Sequence, residues 1–416
     1  MRALAHLVPV LVMSLQTLAS PCKPGIATGK AVYILTNEPV NRVLALPIAS
    51  DGTINRRAPC HSTATSGSGS NALLATGQLA GPDALFSQSA LTIAGKVSPL
   101  NYDLSCSAIV IFANGRSLQF LFAANPGSNT VSMFAIDERD PTKLTLIGQP
   151  ALIPGEFPTT VAASNGIDQV CVGCTGAKAG VSCASFTAQG LGAMDSLRPF
   201  ELGQTTPPVG PTNTVSQVFF SDDHNMLFST VKGDPASNKT GFLAAFPING
   251  NNVSQDGVMT SPNGTAVLFG SSTIPGSNSI FVTDASFGAA VLSIDTTGTA
   301  AVQGKGTIDG QKATCWSTFS SATNTAFVTD VANNRLVEMS ASNASVISQI
   351  DLNANGDPGL IDLKAAGRFI YALSPGNGTT QAAVTVVDAI SKRQVQHIQL
   401  EQAGLSKNAQ GIAVLI

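Results

Sequence analysis

A strand–turn–strand pattern recurs seven times along the chain and constrains its fold more than any other feature. Four copies are clear, over 33–46, 120–134, 281–294 and 327–339, and three are weaker, over 170–186, 226–246 and 369–388. In each clear copy an apolar strand leads to Asn or Asp, three turn residues, Asn or Gly, and a second alternating strand. Asn, Asp and Gly tolerate the left-handed conformation of tight turns, and β-branched and aromatic residues favour strands. The pattern therefore predicts seven β-hairpins.

The spacing of the hairpins favours a β-propeller. Without a predicted signal peptide, roughly 57 residues are available per repeat, and a four-stranded blade needs about 40–50, so long loops account for the surplus. A doubly wound α/β fold would need helical patterns between the strands, which the sequence lacks. With 39 Gly and 23 Pro, long helices are disfavoured. We predict an all-β, seven-bladed β-propeller with four-stranded blades, whose ring is closed by the C-terminal strand over 411–416.

The first 19 residues have the pattern of a secretory signal peptide. Arg2 supplies a positive charge, 7–18 is largely apolar, and Thr17 and Ala19 place small residues before the cleavage site. The apolar run is shorter than the roughly 20 residues of a membrane span. We therefore expect a signal peptide over 1–19, a single propeller domain over 20–416, no membrane span, and a secreted, extracellular protein, with cell-wall association left open.

An oxidising compartment changes the interpretation of the cysteines. Seven follow the cleavage site: Cys22, Cys60, Cys106, Cys171, Cys174, Cys183 and Cys315. The odd number leaves one free or linked to another chain. Cys171 and Cys174 have the spacing of half a zinc site, but no second pair and no nearby histidines complete it. A local disulfide among Cys171, Cys174 and Cys183 is therefore favoured, with the pairing open.

Five Asn-x-Ser/Thr sequons fit a glycosylated exported chain and predict exposed loops. They are Asn238, Asn252, Asn263, Asn343 and Asn377.

The low charge excludes several functions. Only 11% of the residues are charged and the net charge is −3, whereas soluble proteins carry about 25% charged residues. Nucleic-acid binding needs clustered Lys and Arg, so we predict no nucleic-acid partner. The chain has no nucleotide-binding, serine-hydrolase or zinc-protease motif. We therefore predict no cofactor and no metal, and we expect a monomer.

The strand–turn signatures Tyr33–Asn37, Phe281–Asp284 and Phe327–Asp330 resemble the recurring hairpin of the seven-bladed lactonase propellers. That family includes bacterial 6-phosphogluconolactonases and fungal 3-carboxymuconate cyclases, and the layout resembles the secreted, glycosylated fungal proteins named after the cyclase. The resemblance covers essentially the whole mature chain, but structural repeats specify a fold better than an activity. It implies a central funnel where His, Arg and Glu hold a carboxylate-rich substrate and move a proton.

The histidines of that family typically follow a proline at the start of an innermost strand. The matching stretches here, 157–162 and 210–215, have threonines after Pro158, and Thr212 and Asn213 after Pro211. A threonine hydroxyl cannot act as a general base near neutral pH. We therefore predict a binding or surface-interaction protein that lacks the family's catalytic histidines. The alternative is an extracellular lactonase or 3-carboxymuconate cyclase-type isomerase acting on small carboxylates.

Three residues are candidates for a site. If the chain is an enzyme, a lactonase or intramolecular lyase, Glu156 and His224 are the candidate proton-transfer residues. Glu156 lies just before Pro158 in a loop expected at the funnel mouth, and His224 follows two aspartates in a predicted turn, where a purely structural role is the alternative. Trp316, the only Trp, falls on a predicted innermost strand. Core packing is the simplest interpretation of Trp316, and a platform for a ring or sugar is the alternative. The partner is predicted to be a small carboxylate, a lactone or an extracellular surface.

Overall fold

Strands form almost all of the regular structure in the computed structural model, which describes residues 30–97, 117–400 and 403–416. Within these ranges the helices are single 3₁₀ turns at Pro235–Ser237, Val331–Asn333 and Asn353–Asn355. None of these turns is long or apolar enough to cross a bilayer. The predicted signal peptide, Cys22 and Cys106 lie outside the described residues, so the expectations for them stay predictions.

The strands are numbered in chain order. The chain begins with β1 (Ala31–Leu35), β2 (Arg42–Pro47), β3 (His61–Ala64) and β4 (Leu73–Leu74). Blade 2 contains β5 (Leu91–Val97), β6 (Ser117–Asn125), β7 (Thr130–Ile136), β8 (Leu144–Leu146) and β9 (Ala151–Leu152). Blade 3 contains β10 (Pro158–Ser164), β11 (Gln169–Cys174), β12 (Gly180–Thr187), β13 (Gly190–Leu191) and β14 (Arg198–Pro199), and β15 (Val209–Gly210) follows it.

The second half is more regular. Blade 4 contains β16 (Val215–Phe220), β17 (Met226–Val231), β18 (Phe242–Asn249), β19 (Asn252–Val253) and β20 (Val258–Thr260). Blade 5 contains β21 (Leu268–Thr273), β22 (Ser279–Asp284), β23 (Gly288–Ile294) and β24 (Ala300–Thr307). Blade 6 contains β25 (Thr314–Ser320), β26 (Thr325–Asp330), β27 (Arg335–Ser340) and β28 (Val346–Asp351). Blade 7 contains β29 (Ile361–Ala366), β30 (Phe369–Ser374), β31 (Ala383–Asp388) and β32 (Arg393–Gln399), and the chain ends with β33 (Gln410–Leu415).

The ring closes through the first blade. There β33 pairs antiparallel with β1, giving the order β3-β2-β1-β33. The innermost strands β33, β5, β10, β16, β21, β25 and β29 each contact the next around a complete circle. The predicted seven-bladed, all-β propeller with a closing C-terminal strand is therefore confirmed.

The alternation of strands gives the ring two distinct faces. Each blade is built on four antiparallel strands, so the chain enters every innermost strand from the same side of the ring. We call this side the start face, and the opposite side, where the innermost strands end, the end face. The loops between blades and the hairpin turns of the sequence repeat lie at the start face. The turns between each innermost strand and its neighbour lie at the end face.

The repeated turn residues form hairpins at the start face and, in blades 5 and 6, tie them to the chain that leads into the innermost strand. All seven predicted hairpins form, each from the second and third strands of its blade. Buried Asp284 accepts hydrogen bonds from the backbone N–H groups of Ala266 and Val267 at 2.7 and 3.1 Å, just before β21 of its own blade. Asn334, at the second repeat position, has a left-handed φ of 42°. In blades 5 and 6 the repeat therefore encodes both the turn and its tie to the chain just before the innermost strand.

A disulfide joins neighbouring strands of blade 3. Cys171 on β11 and Cys183 on β12 are register partners and are bonded to each other, which confirms a local disulfide. Cys174, the third candidate, is buried and free, and its pKa is raised by burial.

Loss of the Cys171–Cys183 bond should destabilise the blade. We expect the double substitution Cys171→Ala/Cys183→Ala to lower the free energy of unfolding by about 2–4 kcal/mol, because the cross-link constrains the unfolded chain. Denaturant unfolding of the oxidised protein measures this, with the exposed Ser185→Ala on the same strand as a control. An unchanged unfolding midpoint in the double variant would contradict the assignment.

Candidate functional site

The start-face end of the central channel is closed by the chain itself. Residues 83–90, which we call the crossing segment, run between β4 and the innermost strand β5 of blade 2. Residues 84–90 are all buried. The Ser87 hydroxyl donates to the backbone carbonyl of Thr159 in blade 3 at 2.7 Å, and the Ser87 carbonyl accepts from Trp316 Nε1 in blade 6 at 2.9 Å. Because blades 3 and 6 face each other across the ring, the segment spans the channel.

Contacts of the crossing segment also reach three further blades and a second residue of blade 6. Its partners are Gln410 in blade 1, Ser216 in blade 4, Ser317 in blade 6 and Asp362 in blade 7. The Gln88 side chain acts like an added strand, since its Nε2 donates to the Ser317 carbonyl at 2.7 Å and its Oε1 accepts from the Ser317 N–H at 3.0 Å.

Gly270 in blade 5 allows this approach. A Cβ atom at Gly270 would lie 2.2 Å from Gln88 Oε1 and 2.7 Å from the carbonyl of Cys315, so only glycine leaves room for the glutamine. The crossing segment therefore fits a surface shaped for it.

The crossing segment has an unusual backbone. Asp83, Phe86 and Ser89 have φ values of 68°, 52° and 64°, a left-handed conformation that non-glycine residues seldom adopt. Such residues persist only where surrounding contacts determine the conformation. Here the Asp83 carboxylate accepts from the Phe86 N–H at 2.9 Å, and Asp362 accepts from the Ser89 N–H at 3.1 Å.

A buried lysine outside the crossing segment holds it in place, close to the segment's own Asp83. Lys232 is 2% exposed, and its ammonium donates to the Phe86 carbonyl at 2.5 Å and to Ser216 Oγ at 3.1 Å. It also lies 4.2 Å from the ring centre of Phe269. Burial lowers the pKa of Lys232, and the nearby Asp83 opposes that shift. Burial of the Asp83 carboxyl group among protein atoms raises its pKa. Another part of this residue reaches the surface.

The channel is open at the end face instead. A cavity of about 360 Å³ lies there, with Ser89 of the crossing segment among its lining residues. The side chains able to hydrogen-bond or carry charge are Ser89, Thr92, Gln217, Ser221, Asp222, His224 and Lys364. Lys364 Nζ is 3.2 Å from Ser89 Oγ. Burial raises the pKa of Asp362, and the charge of Lys364 opposes that shift. We call this space the channel cavity.

The structure separates the two candidate proton-transfer residues. Glu156 precedes β10 at the start face, where Thr206 Oγ1 donates to its carboxylate at 2.6 Å and Lys178 Nζ lies 3.7 Å away. His224 lies in the end-face turn between β16 and β17, and its Nδ1 is 2.9 Å from Ser164 Oγ at the end of β10. The full length of β10, seven residues and about 20 Å, lies between them. A single substrate therefore cannot contact both.

Trp316 lies on the innermost strand β25, as its sequence position indicates, and is 1% exposed. Its ring packs edge-on against Phe269, with ring centres 4.8 Å apart, and its N–H is used by the crossing segment. In this conformation its ring presents no surface to a ligand. The sequence contained no motif for the crossing segment, Asp362 or Lys364. For Lys232, the only indication in the sequence was its position directly after the first strand of the predicted hairpin over 226–246, in a chain with few charged residues.

Comparisons with known proteins agree with the fold. The chain is similar to the periplasmic gluconolactonase of Pseudomonas aeruginosa, with 12% identity, 94% of this chain and 99% of that chain covered, and a TM-score of 0.63. It is also similar to a 6-phosphogluconolactonase candidate from Bacteroides uniformis, with 12% identity, 93% and 99% covered, and a TM-score of 0.59. No family profile matches the sequence, and no curated protein matches it. At this identity the likeness shows the propeller fold alone and no activity.

Replacing Lys232 should destabilise the protein in a pH-dependent way. Lys232→Met removes the donor to Phe86 and the positive charge near Asp83, so the raised pKa of Asp83 should rise further. When the pKa of a carboxyl group is higher in the folded than in the unfolded protein, its protonation favours the folded state. This contribution to the free energy of unfolding is complete below the unfolded-state pKa and is lost as the pH rises through the folded-state pKa. The wild type loses this contribution up to its Asp83 pKa of about 7, whereas the variant continues to lose it at higher pH. The stability deficit of the variant should therefore grow from about pH 7 to about pH 9.

Denaturant unfolding across this pH range measures the deficit. The exposed Lys312→Met at the start face is the matched control and should show little change. A deficit in Lys232→Met that is independent of pH would contradict the electrostatic coupling to Asp83.

Proposed function

We propose that the protein is a secreted, glycosylated, non-catalytic propeller that binds a small carboxylate in its channel cavity. The observation that carries this proposal is the closed start face. Where the lactonase resemblance implies histidines around a funnel, this chain has Thr159, Thr160 and residues 84–90 of the crossing segment, all buried. Among the described residues, no histidine forms a hydrogen bond with the crossing segment. A lactone therefore has no room to meet an acid–base pair at that end.

The channel cavity favours an anion. Lys364 is the only Lys or Arg side chain among its described lining residues, and Ser89 and Thr92 add hydroxyl donors. His224 uses Nδ1 in its contact with Ser164, which leaves the other ring nitrogen for a ligand. The exposed carboxylate of Asp222 would repel a second negative charge. A monocarboxylate thus fits this cavity better than the more highly charged carboxymuconate.

The alternative is an active lactonase or cyclase that uses Glu156 or His224. Ultraviolet-monitored turnover of 3-carboxy-cis,cis-muconate, together with hydrolysis of gluconolactone, at high protein concentration tests it. We expect no turnover. Turnover that fell by about 10²–10⁴-fold in Glu156→Gln or His224→Ala would overturn the non-catalytic assignment.

Binding in the channel cavity should depend on Lys364. We expect isothermal titration calorimetry to show that gluconate binds the wild-type protein. Its affinity for Lys364→Met should be lower by about tenfold or more, because a hydrogen bond to a charged group is worth about 1.5–3 kcal/mol. Lys312→Met is the control for removing a lysine elsewhere. Equal gluconate affinity in Lys364→Met and in the wild type would exclude this site.

The proposed glycosylation is compatible with the surface. All five sequon asparagines are exposed. We expect the protein secreted from a eukaryotic host to lose mass on treatment with a peptide N-glycosidase, and single Asn→Gln substitutions at used sequons to remove one glycan each. Unmodified intact mass for the secreted protein would contradict this prediction.

A further inference from the structure

We propose that a second cavity, between blades 4 and 5 at the end face, binds a small organic cation with an apolar body, such as an aryl-alkyl amine. It is a separate space from the channel cavity, although the turn at Ser221 and Asp222 contributes to both. We call it the interblade cavity. The proposal does not depend on the proposed function, because a lactonase and a carboxylate-binding protein would carry this cavity equally.

The interblade cavity has an apolar interior. Its volume is about 360 Å³, which lies within the roughly 300–1,000 Å³ of small-molecule sites. Met226 and Phe228 of β17 form one wall, and Ile280 of β22 and Ile294 of β23 form the other. These four side chains belong to the hydrophobic cluster that joins the two blades. The cavity therefore reaches the edge of that cluster at the end face, where Met226 and Ile294 are partly exposed and Phe228 and Ile280 are buried.

Three carboxylates line the same cavity. They are Asp222 and Asp223 in the turn of blade 4 and Asp295 in the turn of blade 5. No Lys, Arg or His is among its described lining residues. In a chain with only 11% charged residues, three acids around one apolar space give a local field that favours a cation.

Two of the carboxylates are held in their charged form. Ser221 Oγ donates to Asp223 at 2.6 Å, and the hydrogen bonds from Ser221 and Asn225 lower the pKa of Asp223. Hydrogen bonds from Thr297 and Thr299 likewise lower the pKa of Asp295. Asp222 has no such partner among the described residues and is exposed, so it is the carboxylate available to pair with a ligand.

The chemistry of the lining selects among ligand classes. A metal ion would find two walls of aliphatic and aromatic side chains where it needs oxygen ligands. A carboxylate ligand would be repelled by three like charges. A neutral apolar molecule would fill the interior and leave the acids unused. An ammonium group on an aromatic or aliphatic body uses both the apolar walls and the acidic rim.

Three matched probes test this assignment: phenethylamine, 2-phenylethanol and 3-phenylpropionate, which present a cation, a neutral hydroxyl and an anion on one phenyl-alkyl body. We expect the amine to bind the full protein at neutral pH, the alcohol to bind about fivefold or more weakly, and the acid not to bind. Binding is followed by calorimetry and by chemical shifts of the labelled methyl groups of Met226, Ile280 and Ile294. Added salt should weaken amine binding.

Variants connect binding to the cavity. Asp222→Asn should lower the affinity for the amine by about fivefold and leave the affinity for the alcohol unchanged. Thr296→Lys, an exposed position in the lining, should abolish amine binding by placing an ammonium group in the cavity. Asp309→Asn removes an exposed carboxylate at the start face and is the matched control.

Several results would overturn the proposal. They are equal affinities for amine and alcohol, shift changes confined to other methyl groups, and wild-type amine affinity in both Asp222→Asn and Thr296→Lys. Lys364→Met separates this proposal from carboxylate binding in the channel cavity, because it should weaken gluconate binding by about tenfold or more and leave the affinity for the amine unchanged. Loss of amine binding in a folded Lys364→Met would place the ligand in the channel and contradict the interblade assignment.

Discussion

The antiparallel pairing of β33 with β1 is the contact on which the rest of the structure depends. It joins the two ends of the described chain within one blade, so that the ring has no open edge between its first and last repeats. β33 is also an innermost strand, and it places Gln410 beside Ser87 and Ile412 beside Asp362. The crossing segment can be held from both sides of the channel only because the ring is closed.

The start face is closed because the buried polar groups of the innermost strands need hydrogen-bond partners. Innermost strands present backbone and side-chain groups to the channel, where burial without a partner would be unfavourable. The crossing segment supplies those partners through Gln88, Ser87 and the carbonyl of Phe86. A binding funnel would leave such groups to water and ligand. This chain uses them for its own packing, and the open part of its channel therefore lies at the end face.

The fold could be predicted from the sequence, but only part of the candidate site could. Hairpins are local, and their Asn, Asp and Gly positions read directly as turns, so seven blades and the closing strand could be predicted. The crossing segment is a long-range structure: Ser87 and Trp316 are 229 residues apart in the chain. No periodicity marks such a segment, because its residues are buried by contacts with several blades and not by one face of a strand. For the same reason, the separation of Glu156 from His224 by β10 could not be predicted from the sequence.

The turn between β16 and β17 connects the two cavities of the end face. Asp222 lines both, whereas Lys364 lines only the channel cavity. A carboxylate near the channel lysine and an ammonium group near Asp222 would carry opposite charges on two sides of one short turn. Each would reduce the electrostatic penalty for the other, since opposite charges attract across a partly desolvated surface. The two proposed ligands should therefore bind with positive coupling, and by linkage the effect must be the same whichever is added first.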